Sequence, residues 1–217
     1  MILKGMTINF LGDSITQGAG TSAPDKKYFE VLKEKYGLKA VNGYGVGGTR
    51  IADQKTPSAE PVYDEYFSLR ADKMTLDADA VVVFGGTNDY GHGDAPIGTF
   101  SDRTPDTFYG ACHELFLKLI NMYPGKPIIV MTPLHRATEL EVHEKSDGSK
   151  TILLDYVNII REVAQYYSLP VCDLYANSGI QPAVPVLKEM FCPDGLHPND
   201  RGNEIIAERL GNFMLSL

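Results

Sequence analysis

Two kinds of hydrophobic pattern alternate along this chain. Short runs of apolar and β-branched residues have the length of buried strands, and the longer stretches between them carry apolar residues at helical spacing. The runs predict five strands, at residues 6–11, 39–42, 80–84, 127–131 and 170–174. The longer stretches predict five helices, at residues 25–36, 59–73, 104–123, 151–167 and 199–215. Strands and helices are therefore expected to alternate.

The predicted strands are apolar on both faces. Residues 80–84 (AVVVF) and 128–131 (IIVM) are continuously hydrophobic, which is typical of parallel strands covered by helices on both sides. The 217 residues contain no internal repeat, low-complexity tract or linker, and this length suits one domain around a single core. We therefore predict one domain, residues 1–217, with a three-layer α/β/α architecture and a five-stranded parallel sheet.

Composition and charge narrow the possible partners. The hydrophobic fraction of 43% and the charged fraction of 22% are ordinary for soluble globular proteins. The net charge of -8 would repel nucleic-acid phosphates and anionic lipid surfaces, so neither a nucleic-acid partner nor integral membrane contact is expected. Cys112, Cys172 and Cys192 lack metal-binding or redox spacing and are interpreted as reduced structural thiols. Assembly into a homo-oligomer remains open.

The N-terminus is apolar but is interrupted by polar residues. Lys4, Thr7 and Asn9 fall where a signal peptide would have its apolar core, and no small-residue cleavage site follows. This pattern favours a cytoplasmic location. A secreted protein that has lost its signal peptide would show the same pattern.

Small polar residues and glycines follow the first three predicted strands, at residues 12–16, 42–48 and 85–89. Ligands of open α/β sheets bind beyond the carboxyl ends of the strands, so these segments are where chemistry is expected. Ser14 lies in the first of them and is a candidate nucleophile. A serine hydroxyl needs a base, and His197 is the favoured histidine because Asp194, three residues earlier, can orient its ring.

Acyl transfer also requires donors for a developing oxyanion, and three are available in these segments. They are the backbone N–H groups of Ser14 and Gly48 and the side-chain amide of Asn88. Gly45 and Gly47 are alternatives to Gly48. Taken singly, Ser14 could instead cap a helix, and Asn88 and the glycines could be turn residues.

Four segments together resemble the conserved blocks of SGNH/GDSL-type serine hydrolases. They are residues 12–16 (GDSIT), 42–51, 86–89 (GTND) and 194–198 (DGLHP), and they occur in the family's order over most of the chain. The resemblance implies a flavodoxin-like SGNH hydrolase fold and no metal or organic cofactor. It also implies that Ser14 is the nucleophile and first oxyanion donor, Gly48 and Asn88 the other donors, His197 the base and Asp194 its partner. Asp13 is expected to be structural.

Three further residues are candidate substrate contacts. Tyr90 and His92 lie just beyond the third segment and could equally lie in a solvated loop. Arg136 follows the fourth strand and could contact a polar substrate, although a surface role is favoured for it. The long segments 90–103, 133–150 and 177–193 are expected to be irregular walls of the site.

The resemblance predicts a carboxylic ester hydrolase working through an acyl-Ser14 intermediate. Because the expected wall segments are polar, the favoured substrate is a short acyl ester, such as acetyl on a carbohydrate. The alternatives are a lysophospholipase, thioesterase or acyltransferase of the same family, or a flavodoxin-like module that binds a phosphate-bearing ligand.

Overall fold

A computed structural model describes all 217 residues. The strands are β1 (Thr7–Gly12), β2 (Ala40–Gly45), β3 (Ala80–Phe84), β4 (Ile128–Met131), β5 (His143–Glu144), β6 (Lys150–Thr151) and β7 (Val171–Cys172). The helices are α1 (Ser14–Gln17), α2 (Tyr28–Tyr36), α3 (Phe67–Ala71), α4 (Thr87–Gly91), α5 (Phe108–Met122), α6 (Leu153–Tyr166), α7 (Leu174–Asn177), α8 (Pro185–Phe191) and α9 (Asp200–Ser216). No helix has the length and apolar character needed to cross a membrane.

Five strands form one parallel sheet in the order β2-β1-β3-β4-β7. All five predicted strands are present, and the α/β fold with a five-stranded parallel sheet is confirmed. Strand β2 runs three residues further than predicted, to Gly45, because residues 43–45 continue to pair with residues 10–12 of β1. Parallel pairing places the carboxyl ends of β1, β2 and β3 at one edge of the sheet.

Alternate residues of the central strands belong to two hydrophobic cores, one on each face of the sheet. Val81 and Val83 pack with α3, α5 and α6, whereas Val82 and Phe84 pack with α2 and α9. All five residues of β3 are buried, which accounts for the continuous hydrophobicity of that strand. The three cysteines are free and buried.

Two helical predictions change in detail. The segment predicted as one helix, 59–73, forms a 3-10 turn at Pro61–Asp64 and a separate helix α3, because the chain is extended at Tyr66. Helix α5 begins at Phe108 rather than at residue 104, because the Thr107 side chain accepts a hydrogen bond from the Gly110 N–H and caps the helix there. The segments expected to be irregular also contain the β5–β6 hairpin and helix α8.

Lys145 joins the β5–β6 hairpin to the end of α4. Its side chain is 4% exposed, and its ammonium group donates to the carbonyls of Asp89, Tyr90 and Gly93 at 2.8, 3.0 and 2.7 Å. Cations are favoured at the C-terminus of a helix, where carbonyl groups lack partners within the helix. Lys145 therefore stabilises the end of α4 and holds the hairpin against it.

We expect Lys145→Met to lower the free energy of unfolding by about 3 kcal/mol, because three buried carbonyls lose a charged donor. Chemical denaturation measures the change. Lys150→Met is the matched control, since Lys150 is an exposed lysine of the same hairpin, and its effect should stay within about 0.5 kcal/mol. Equal losses in the two variants would contradict the role given to Lys145.

Candidate functional site

Ser14 occupies the tight turn between β1 and α1. Asp13 caps the helix by accepting the Ile15 N–H at 3.0 Å, which leaves the Ser14 N–H without a protein acceptor. A side chain at Gly12 would bring its Cβ to 2.9 Å from the Phe84 carbonyl oxygen, so only glycine fits there. These constraints place the Ser14 hydroxyl at the carboxyl edge of the sheet.

A chain of hydrogen bonds connects Ser14 to the C-terminal part of the protein. Ser14 Oγ lies 3.0 Å from His197 Nε2, and His197 Nδ1 lies 2.7 Å from Asp194 Oδ2. A carboxylate can only accept from Nδ1, so this pairing favours the tautomer whose Nε2 accepts the Ser14 proton. The structure thus brings together the three residues predicted to form the nucleophile and its base.

Asp194 is fixed by the backbone as well as by the histidine. Its Oδ1 accepts the N–H groups of Leu196 and His197 at 2.8 and 2.7 Å. Partial burial would raise the pKa of Asp194, but these hydrogen bonds and that from the His197 ring outweigh burial and hold its pKa below the ordinary value. The carboxylate is therefore ionised in the neutral pH range and held in position.

The structure distinguishes the three glycines that were candidates for the second oxyanion donor. The Gly47 N–H donates to Gln17 Oε1 at 2.8 Å, and a Cβ on Gly45 would overlap the backbone of α1. The Gly48 N–H has no protein acceptor, and a Cβ on the neighbouring Gly47 would lie 3.6 Å from Ser14 Cβ. Gly48 therefore has an amide without a protein acceptor and directly follows the glycine that approaches Ser14.

Asn88 is the second residue of α4, the helix that forms hydrogen bonds with the residues just after Gly48. One amide hydrogen of Asn88 donates to the Thr49 carbonyl at 2.9 Å, and the second has no protein acceptor. The next residue, Asp89, accepts the N–H groups of Ile51 and Ala52 at 3.0 and 2.9 Å. These bonds hold segment 49–52 against α4, so Gly48 and Asn88 are fixed relative to each other.

The three predicted substrate contacts have different surroundings. Tyr90 is fully buried, and its hydroxyl donates to the carbonyls of Thr138 and Glu141, so burial argues against a contact with substrate. His92 is exposed at the end of α4. Arg136 is half-buried, and its guanidinium lies over the Tyr90 ring and donates to the Thr87 carbonyl at 3.2 Å. Arg136 thus supports α4.

Two residues at the site carried no clear signal in the sequence. Arg50 is 3% exposed and forms an ion pair with Asp64 at 2.9 Å, although it resembles an ordinary loop arginine in the sequence. The ring of Tyr63 packs over Gly48, where an added Cβ would lie 2.7 Å from the ring. Tyr63 belongs to a segment predicted to be helical, so neither periodicity nor spacing indicated this contact.

A small cavity lies by the turn that follows β1. Its lining includes Asp13, Ile15, Thr87 and Leu196 but not Ser14, His197 or Asp194. Its volume is about 10 Å³, which is room for about one water-sized group.

Comparisons with known proteins identify the family. The chain matches the model of the GDSL-like lipase/acylhydrolase family over residues 10–205. No curated protein matches it. Among solved structures, a protein from Lactobacillus plantarum is 28% identical, with a TM-score of 0.83 and coverage of 98% of each chain.

Two further solved structures share the fold. An acetyl xylan esterase is 23% identical, with a TM-score of 0.64 over 95% of this chain and 98% of that chain. A two-domain esterase active on acetylated mannans is 19% identical, with a TM-score of 0.66 over 98% of this chain and 49% of the other. The family match spans most of the sequence and includes all the residues described above, so this chain belongs to the GDSL-like lipase/acylhydrolase family.

Proposed function

We propose that the protein is a serine esterase that hydrolyses short acyl esters, with acetyl groups on a carbohydrate as the favoured substrate. The observation that carries the proposal is the hydrogen-bonded chain from Ser14 through His197 to Asp194. Donors without protein acceptors accompany it, namely the N–H groups of Ser14 and Gly48 and one amide hydrogen of Asn88. Together they meet the requirements of acyl transfer.

The mechanism assigns each residue one task. His197 Nε2 accepts the Ser14 proton as Oγ attacks the ester carbonyl, and Asp194 stabilises the resulting imidazolium. The three donors bind the carbonyl oxygen as it becomes an oxyanion, and each is worth about 3 kcal/mol of transition-state stabilisation in comparable sites. The intermediate collapses as His197 protonates the leaving alcohol. Water then attacks the acyl-Ser14 ester with the same base, and the free acid and Ser14 hydroxyl are released.

Two observations support a short acyl group. The segments expected to form the walls of the site are polar, which suits a short acyl group better than a long apolar chain. Two proteins of the same fold are described as an acetyl xylan esterase and as an esterase active on acetylated mannans. A lysophospholipase or thioesterase would need space for a long chain beside Ser14.

A flavodoxin-like binding module is the second candidate, and the first loop argues against it. The carboxylate of Asp13 lies buried in that loop and would repel a phosphate when ionised. A binding module would also have no need for a histidine paired with both a serine hydroxyl and a carboxylate.

Ser14→Ala and His197→Ala should each lower kcat/KM for p-nitrophenyl acetate by about 10³-fold or more, because removal of either residue abolishes activation of the nucleophile. Release of p-nitrophenol measures the rate. Ser22→Ala, at an exposed serine that bonds to Asp200, serves as the control and should keep wild-type activity. Activity that survives in both active-site variants would contradict the proposed mechanism.

A series of p-nitrophenyl esters tests acyl-chain length. We expect kcat/KM to fall about tenfold or more between acetate and butyrate, since polar walls offer added methylenes no apolar surface to pack against. A preference for octanoate over acetate would reject the short-acyl proposal and favour the lysophospholipase or thioesterase alternative.

An excess of added methanol in the same assay would reveal acyl transfer as methyl ester formation.

Asp13 should affect the pH dependence of stability. Burial raises the pKa of Asp13 to about 6, above its value in the unfolded chain, so its contribution to stability is greatest at low pH and is lost as pH rises through 6. We expect the free energy of unfolding of Asp13→Asn, measured relative to that of wild type, to increase by about 2 kcal/mol between pH 4 and pH 7. Denaturation at both pH values measures this, and a constant difference would contradict it.

A further inference from the structure

Arg50 is a buried cation two residues beyond Gly48. One terminal nitrogen of its guanidinium donates to Asp64 Oδ1 at 2.9 Å and to the Tyr63 carbonyl at 3.3 Å. The other terminal nitrogen lies 3.1 Å from Nδ1 of His92. A single rigid guanidinium therefore connects the 3-10 turn that carries Tyr63 with the end of α4.

The turn holds the Tyr63 ring at the site. Asp64 accepts hydrogen bonds from the N–H and hydroxyl of Ser58 at 2.8 and 2.7 Å, which closes the loop around Arg50. The ring packs directly over Gly48, and the residue as a whole is 37% exposed. Part of this tyrosine is thus open to solvent beside one of the proposed oxyanion donors.

His92 presents a hydrogen-bond donor at the other terminal nitrogen of the same Arg50 guanidinium. A guanidinium can only donate, so Nδ1 of His92 must accept and Nε2 must carry the ring hydrogen. His92 follows Asn88 by four residues, and its N–H donates to the Asn88 carbonyl at 3.0 Å, so the two residues are one helical turn apart. No protein group accepts the Nε2 hydrogen of the exposed ring.

We propose that Tyr63 and His92 form a subsite that binds a hydroxylated ring in the alcohol portion of the ester. The ring's apolar face packs on Tyr63, and one of its hydroxyl groups accepts a hydrogen bond from His92 Nε2. An exposed aromatic face with a fixed polar donor beside it is a common arrangement for an amphipathic ligand. This inference rests on the proposed esterase function and specifies the part of the substrate that Ser14 does not contact.

The size of the acyl group indicates which part of the substrate reaches this subsite. An acetyl group ends at a methyl carbon, directly beyond the carbonyl held by the oxyanion donors. It is too short to contact both a phenol ring and an imidazole one helical turn from Asn88. The alcohol portion must supply both contacts.

Hydrolysis of two acetyl esters tests the proposal. The substrates are ethyl acetate and a mono-O-acetylated methyl xyloside, and acid release gives kcat and KM. For Tyr63→Ala we expect kcat/KM to fall about tenfold on the xyloside, mainly through KM, and less than about threefold on ethyl acetate. Tyr63→Phe should keep wild-type values. Tyr166→Ala is the matched control, because Tyr166 is a 57% exposed tyrosine at the end of α6.

Two substitutions test the donor of His92. His92→Phe should lower kcat/KM on the xyloside about fivefold through KM, whereas His92→Gln, which retains an amide donor near Nε2, should restore most of the loss. Equal losses on both esters, or a changed preference along the p-nitrophenyl acyl series in Tyr63→Ala, would overturn the subsite assignment.

Binding without turnover separates failure of the subsite from failure of the esterase function. Methyl xyloside is titrated into Ser14→Ala protein and into the Ser14→Ala, Tyr63→Ala double variant, with NMR chemical shifts as the measure. We expect about tenfold weaker binding in the double variant. Unchanged affinity would overturn the subsite even if Ser14 proves to be the nucleophile. A difference in affinity supports the subsite even if neither ester is hydrolysed.

Discussion

Hydrogen bonds between α4 and segment 49–52 hold the candidate site together. Strand β1, which leads to Ser14, lies between β2 and β3, so the segments that follow β2 and β3 must meet across its end. They do so because Asp89 accepts two backbone N–H groups from segment 49–52 and Asn88 donates to a carbonyl of the same segment. An oxyanion donor must be oriented before the reaction, because reorientation would consume the stabilisation that it provides. The α4 contacts would supply that orientation to Gly48 and Asn88 in their proposed role.

Burial of Asp89 explains much of the charge arrangement around the site. Its carboxyl group is 4% exposed, and burial raises its pKa, while the N–H groups of Ala52 and Ile51 and the nearby Arg50 guanidinium act in the opposite direction. Lys145 adds a second buried cation on the carbonyl side of the same residue. A buried carboxylate is tolerated only when hydrogen bonds and opposite charges compensate for lost hydration. Arg50, Lys145 and the two N–H groups together provide that compensation.

The sequence predicted the elements whose positions depend on local patterns. The five strands were identified from short apolar runs, Ser14 from its position beyond the end of the first strand, and Asp194 and His197 from their spacing and the family resemblance. Residues 43–45 were missed as part of β2, since glycine has a low strand propensity and only pairing with β1 extends the strand. Arg50, Tyr63 and Lys145 could not be identified because their roles arise from contacts between loops, which have no periodic signal.

The residues of the candidate site differ in how firmly the fold holds them. Ser14 and Asn88 lie on α1 and α4, whereas Gly48, Asp194 and His197 lie on loops. Loops tolerate substitution because few buried contacts depend on them. Arg50 is an exception, since it is buried yet bonded to both Asp64 and His92. Through it, the loop that carries Tyr63 is joined to the end of the helix that carries Asn88, which restricts how far the two can move relative to each other.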